Sequence, residues 1–496
     1  MPLTTIKPGD RTEMATINHA LPGRSFAHHT QAASRRLSSK LQARQNTLRA
    51  IWFGLLIASI CLEGLGRRYL HVVPPAVFYF TKDVVLLFGL VAFSIHPEIK
   101  SIARKLYGIA LFPLGIGIVW TVLECFNPQQ GSILLAVVGL RAYWLWWSAP
   151  LVISNVLQVN EVRRAAVYIL AFTAATVCGV AVIQFGSPPE AEVNNYSITV
   201  EGDVVQAVGI EGTGRARVAS TFSFISGFAD FTIIMPALLM TIGLGESNKK
   251  VRFVALGATT LTAAVLPMSG SRAPVFIGAC LVIIIAWRAG FLFTKAGRRL
   301  IIGGLVLVAT TLTAFPEAME GVINRLESGD SQSRFDETWN ILPPVALQSY
   351  TYPWMGIGTG MQQNVRAQLG ISSYQYNAEG ESGKQLIELG IPGYMLYWFA
   401  RLGICVALAK ASRILRRDGR GAVAGAAMGI AALTFFGNLT FDHIWQALFF
   451  VAVGYILLET NAAYRSLMSR VRPEPVQRLT RRVAEAQQEP GALSGD

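Results

Sequence analysis

Three arginines stand out in this 496-residue chain as groups placed to do chemistry. Arg217 lies in RVASTFSF, Arg272 in MSGSRAPV and Arg334 in SQSRFDETW, each at or near the edge of an apolar run. A guanidinium stays charged at any working pH, and its planar fork of donors matches phosphate-type oxygens two at a time. Several such groups on one face make an anion site. Arg272 has a plainer alternative, as a turn residue held by backbone carbonyls. A fourth, Arg141 in GLRAYWLWW, sits inside an apolar run, where an unpaired charge costs about 3 kcal/mol or more. It either joins such a site or pairs with an acid such as Glu124.

Acid and base candidates follow later in the chain. Glu379-Gly-Glu381 puts two carboxylates two residues apart beside Gly380 and Gly383, where the backbone has room to approach a ligand. Such a pair suits cation binding or proton abstraction, although solvated loop carboxylates share the pattern. Asp442 and His443 stand together in FDHIW just before the last apolar run. The histidine there is a base candidate or an interfacial residue.

These residues need a scaffold, and composition says which kind. The chain is 52% hydrophobic and 15% charged, outside ordinary soluble composition, so we expect an all-α polytopic membrane protein in a lipid bilayer. Apolar runs of spanning length occur at 49–66, 74–95, 106–125, 132–157, 165–185, 219–244, 252–268, 273–293, 300–316, 385–409, 421–440 and 444–462, giving twelve expected spans. Loops after even-numbered runs carry Lys100, Arg104, Lys105, Arg163, Arg164, Lys249, Lys250, Arg298, Arg299, Arg416 and Arg417. The positive-inside rule puts these loops and both termini in the cytoplasm. The net charge of +13 is then a topological signal and needs no nucleic acid.

The expected organisation is a disordered cytoplasmic tail at 1–46, spans one to nine within 47–316 with an outer loop at 186–218, a large outer loop at 317–384, spans ten to twelve within 385–462, and a second cytoplasmic tail at 463–496. The first 46 residues hold no apolar stretch of the signal-peptide kind, so the first span directs insertion. Arg67 and Arg68 read as snorkelling interfacial residues. Cys61, Cys125, Cys178, Cys280 and Cys405 lie in or beside apolar runs without metal-ligand spacing and read as core residues. Alternation in SITVEGDVVQAVGI predicts a small hairpin turning at Gly202. In the large loop, Ser333 and Asp336 open a short predicted helix, headed by Arg334, that ends before Pro343 and Pro344.

The chain resembles the O-antigen ligase and O-antigen polymerase superfamily of bacterial inner membranes. RVASTFSF at Arg217, SGSRAP at Arg272, SRFDETW followed by PWMGIGTG, and QLIELGIPGYMLYW carry the resemblance over roughly residues 50–460. It implies a multi-span glycosyltransferase, inverting and without metal or other cofactor, with the large loop periplasmic. The donor would be a glycan on undecaprenyl diphosphate and the acceptor a sugar hydroxyl, with other polysaccharide-assembly proteins as further partners. By this resemblance Arg217 and Arg334 bind the diphosphate, with Arg272 in support. Ligases of the superfamily carry a His-Asn pair about nine residues before the Glu of the ELG run. Counting back from Glu388 lands on Glu379 instead. The base is then Glu379, Glu381 or His443, or no dedicated residue, and the departure favours a polymerase over a ligase. A transporter or flippase of lipid-linked oligosaccharide is the alternative.

Overall fold

The computed structural model describes residues 23–471 apart from 71, 94–101, 199–203, 211–212, 319, 321–322, 324–341, 364–365, 367–375, 377 and 379. Arg334, the short helix expected around it, Glu379, residues 1–22 of the first tail and residues 472–496 of the second therefore lie outside the described residues. The chain separates into two units, 1–48 and 49–496. The described part of the first is the leading portion of helix α1 (Gly23–Cys61); the end of α1 and all later elements belong to the second.

All twelve apolar runs lie on helices. In order these are the end of α1 with α2 (Glu63–Tyr69), α3 (Pro75–Phe93), α4 (Ile102–Glu124), α5 (Ile133–Trp144) continuing through a 3-10 turn into α6 (Ala149–Val156), α7 (Asn160–Gly186), α8 (Ile225–Gly245), α9 (Lys249–Val265), α10 (Arg272–Arg288) and α11 (Lys295–Ala314). A short α12 (Pro343–Ser349) precedes α13 (Glu381–Arg417), α14 (Gly421–Phe436) and α15 (His443–Val471). Among the described residues eight helices are long and apolar enough to cross a membrane, or nine if α1 and α2, bent by 60°, count as one broken span. The protein is thus an all-α polytopic chain. Helices α8 and α15 are the most enclosed, with 83% and 89% of their apolar windows buried, whereas α3 shows Val84, Leu87, Phe88 and Val91 outward, as a lipid-facing helix does.

The predicted hairpin is present. Ser197 pairs with Val205 and Ile198 with Val204, and a second hairpin pairs β3 (Gly209–Ile210) with β4 (Arg215–Ala216). Pro343 and Pro344 occupy the first turn of α12 and open that helix, since the first turn requires no N–H from them. Of the cysteines, Cys61 and Cys178 are buried and the other three half-buried.

The decisive irregularity is in α13. Gly390 has φ +63° and ψ −173°, inside what reads in sequence as one apolar helix. In a straight helix Glu381 and Arg401 would stand about 30 Å apart; instead Arg401 Nη2 donates to Glu381 Oε2 at 2.8 Å. The helix therefore folds back on itself at Gly390, five residues into the expected tenth span. Pro392 has no N–H for the carbonyl of Glu388, and Gly358 N–H fills that vacancy at 3.2 Å. Ile357 N–H serves the carbonyl of Ile387 at 2.9 Å, Trp120 Nε1 that of Leu389 at 2.9 Å, and Ile391 N–H reaches Trp354 O at 3.1 Å. Every carbonyl opened by the break has a substitute donor, as burial demands.

The loop that supplies them needs its glycines. Gly356, Gly358 and Gly360 have φ of +91°, +102° and +83°, and a Cβ at Gly360 would lie 2.2 Å from Leu135 O. Gly390→Ala combines a left-handed φ with a Cβ 2.3 Å from Trp354 O. It should lower unfolding stability in detergent by about 3 kcal/mol, while Gly115→Ala in α4, where nothing lies within 4 Å, should leave it unchanged or raised. Equal denaturation midpoints for the two variants would contradict this account of the break.

Candidate functional site

Arg217 is fixed by its backbone. Its N–H donates to Val208 O at 2.8 Å, continuing the β3–β4 pairing, and its carbonyl accepts from the Tyr196 hydroxyl at 2.7 Å. That hydroxyl also accepts from Val208 N–H at 3.1 Å. Burial pushes the Tyr196 phenol above its ordinary range, against the smaller pull of Val208 and two arginines, so it stays a donor. From this anchor Arg217 Nη2 reaches Ser271 Oγ at 2.5 Å. Gly270, left-handed at φ +58°, closes the 3-10 turn Leu266–Ser269 and packs against the Arg217 stem, and Arg272 opens α10 next to it. Two segments about fifty residues apart thus meet at the heads of α8 and α10.

Ser220, three residues after Arg217, is the one non-glycine residue with positive φ among those described, at +53°. It is fully buried, and Gln184 clamps it through Oε1 to its N–H at 2.6 Å and Nε2 to its carbonyl at 3.3 Å, while its hydroxyl donates to Val177 O. Such a conformation costs about 1–3 kcal/mol and persists only where the surroundings enforce it.

Helix α2 closes over the same turn, Gly64 lying against the Phe222–Ser223 backbone where a Cβ would have no room. Here two sequence readings need correction. Arg68 does not snorkel: it is 3% exposed and donates to Val193 O at 3.1 Å and Phe222 O at 3.5 Å, because α2 is pressed onto that turn. Arg67 donates to Ser223 Oγ at 3.1 Å. The partner of Arg141 is Asp83, at 2.6 Å, with Tyr79 OH at 3.1 Å, and not Glu124, which accepts from Asn127 at 2.8 Å. Trp146 Nε1 donates to the other oxygen of Asp83, and the neighbouring Lys82 is ion-paired with Glu63.

His443 borders this network, its ring edge-to-face with Tyr79 at 5.3 Å and its Nδ1 buried without a hydrogen-bond partner among the described residues. Asp442 caps α15, accepting from the N–H groups of Ile444 and Trp445.

Glu381 is placed elsewhere. Besides Arg401 it accepts from Leu439 N–H at 3.0 Å and Gln385 Nε2 at 3.1 Å. Arg401, 1% exposed, also donates to Gly437 O, so the pair ties the folded-back arm to the turn between α14 and α15. Gly380 and Gly383 lie under the ring of Tyr350, which fills the space a ligand would need. Glu388, fully buried, accepts from Gln362 N–H at 2.5 Å and Tyr143 OH at 2.9 Å. The segment between α7 and α8 and the residues that follow α11 touch through Arg215 and Glu317, 3.0 Å apart.

The structure thus joins Arg217 with the Ser271–Arg272 turn, sets His443 in a separate charged network and encloses Glu381. Among the described residues no three or more His, Cys, Asp or Glu side chains are grouped to hold a metal ion. Sequence reasoning missed Lys82 and Asp83, whose signal was a charged pair inside FYFTKDVVLLF. The chain matches no family model and no curated protein.

Breaking a buried ion pair strands a charge, whereas replacing both members need not. Glu381→Gln or Arg401→Met alone should cost about 3–5 kcal/mol of stability, and the double variant should recover more than half of it. Additive losses in a double-mutant cycle would show the pair to be uncoupled.

Proposed function

We propose that this chain is an inner-membrane polysaccharide polymerase or ligase that transfers a glycan from undecaprenyl diphosphate to an acceptor sugar hydroxyl on the periplasmic face. The reading includes twelve spans, cytoplasmic termini and a periplasmic 317–384 loop. The observation that carries it is the contact of Arg217 with Ser271. Two of the four stretches that resemble the O-antigen ligase and polymerase superfamily come together there, beside a backbone held in a strained conformation.

Departure of the diphosphate builds negative charge on its oxygens, and fixed cations aimed at those oxygens lower the barrier. In this proposal Arg217, Arg272 and Arg334 are those cations. No metal is needed for that step. The acceptor proton goes to Glu379 or to His443. Glu381, with both oxygens engaged by Arg401, Leu439 and Gln385, serves to hold the start of α13 in place and is not the base.

A second reading, transport or flipping of a lipid-linked oligosaccharide, draws on the break at Gly390 and on the Glu63–Lys82 and Asp83–Arg141 pairs within apolar helices. Transporters use broken helices and intramembrane charges of this kind. Purified protein in liposomes with lipid-linked repeat units separates the two: longer glycans with released undecaprenyl diphosphate support the transferase, and translocation without new bonds supports transport.

Arg217→Ala and Arg334→Ala should each lower glycan elongation by about 10²–10³-fold with the protein still inserted. Arg217→Lys should restore only part, because an ammonium lacks the fork. Wild-type chain lengths from Arg217→Ala would overturn the assignment of that residue.

A further inference from the structure

At the opposite end of α8, roughly 30 Å from Arg217 by helix length, the bundle holds a cavity of about 420 Å³. Its two walls have opposite polarity. One is the start of α14: Gly421, Ala422 and Val423 line the cavity, ahead of the first intrahelical bond from Ala424 N–H to Arg420 O. Their N–H groups give that wall the partial positive charge of a helix N-terminus, reinforced by Arg420 and Arg163. The other is the end of α8, where Leu244, Gly245 and the extended Glu246 line the cavity and the helix presents terminal carbonyls and a carboxylate.

Glu459 sets the arginines in place. It accepts from Arg163 at 3.0 Å and also from Arg420, whose Nε is held by Asp418 at 2.9 Å. Arg163, Arg420, Glu246 and Glu459 sum to zero charge, so the cavity suits neither a lone anion nor a lone cation. Tyr455, 4% exposed, lines it with no hydrogen-bond partner for its hydroxyl among the described residues. A ligand in the cavity would give that hydroxyl a partner.

We propose that this cavity binds a zwitterionic phosphoethanolamine group, its phosphate towards Arg420 and the start of α14 and its ammonium towards Glu246 and the end of α8. The group can come from a membrane phospholipid or from a soluble phosphoethanolamine. Ile242 and Leu244 supply apolar wall beside the charged groups, as a lipid headgroup with attached chains requires.

The test is native mass spectrometry of the full-length protein released from nanodiscs of mixed phosphatidylethanolamine and phosphatidylglycerol. Wild type should retain one phosphatidylethanolamine in preference to phosphatidylglycerol. Tyr455→Phe, which removes one oxygen and keeps the packing, should weaken retention about three- to tenfold. Glu246→Gln should shift the preference towards phosphatidylglycerol. Displacement of the lipid by millimolar phosphoethanolamine would support the headgroup chemistry and show that a soluble source suffices; failure to displace it, with the lipid retained, would support it and assign the lipid. Equal retention of phosphatidylglycerol by wild type, or unchanged lipid selectivity in both variants, would overturn the proposal.

Discussion

Glu388 is buried completely in the apolar core of the bundle, and a carboxyl group there is tolerable only if donors surround it. Those donors come from outside its own helix: the N–H of Gln362 in the preceding loop and the hydroxyl of Tyr143 on α5. Two residues further on, Gly390 breaks the helix, and the same loop serves the carbonyls of Ile387 and Glu388 released there. The side chain and the break therefore share one solution, a glycine-rich strap laid between α5 and α13. The fold-back that brings Glu381 to Arg401, and through them the last two helices, depends on it.

Charge inside this bundle follows a consistent pattern. Glu63 with Lys82, Asp83 with Arg141, and Glu381 with Arg401 are each enclosed, and each includes a residue that also bonds a backbone carbonyl, a tyrosine or a tryptophan. Burying two opposite charges seldom adds stability over apolar packing, so such pairs are better understood as fixing which helix lies beside which. At Arg217 the side chain donates to the hydroxyl of Ser271, and backbone hydrogen bonds to Val208 and Tyr196 fix the main chain.

The helices were legible because apolar runs of spanning length have few other outcomes, and the hairpin near Gly202 because alternation of β-branched residues admits little else. The fold-back was not. Residues 385–409 satisfy the length and hydropathy of a span, and only Gly390 followed by Pro392 hinted that two backbone bonds would be missing. Partner choice was likewise hidden: Glu124 and Asp83 were both acids within apolar runs, and only the packing of α3 against the turn after α5 selects Asp83. For the site, the arginine-bearing motifs could be expected on one face, but the meeting of Arg217 with Ser271 is a tertiary fact. Arg334 and Glu379 lie outside the described residues, so their part rests on sequence.

The strap over Gly390 also constrains how the protein is made. A ribosome delivers α13 after α4, α5 and the loop, and until those are docked the carbonyls of Ile387, Glu388 and Leu389 have no donors. Lipid offers none. The arm 381–389 is therefore poorly suited to leave the insertion machinery sideways into the bilayer on its own. Its route into the membrane runs along protein already in place, and assembly of this part of the bundle has a fixed order, with the loop first and the folded helix second.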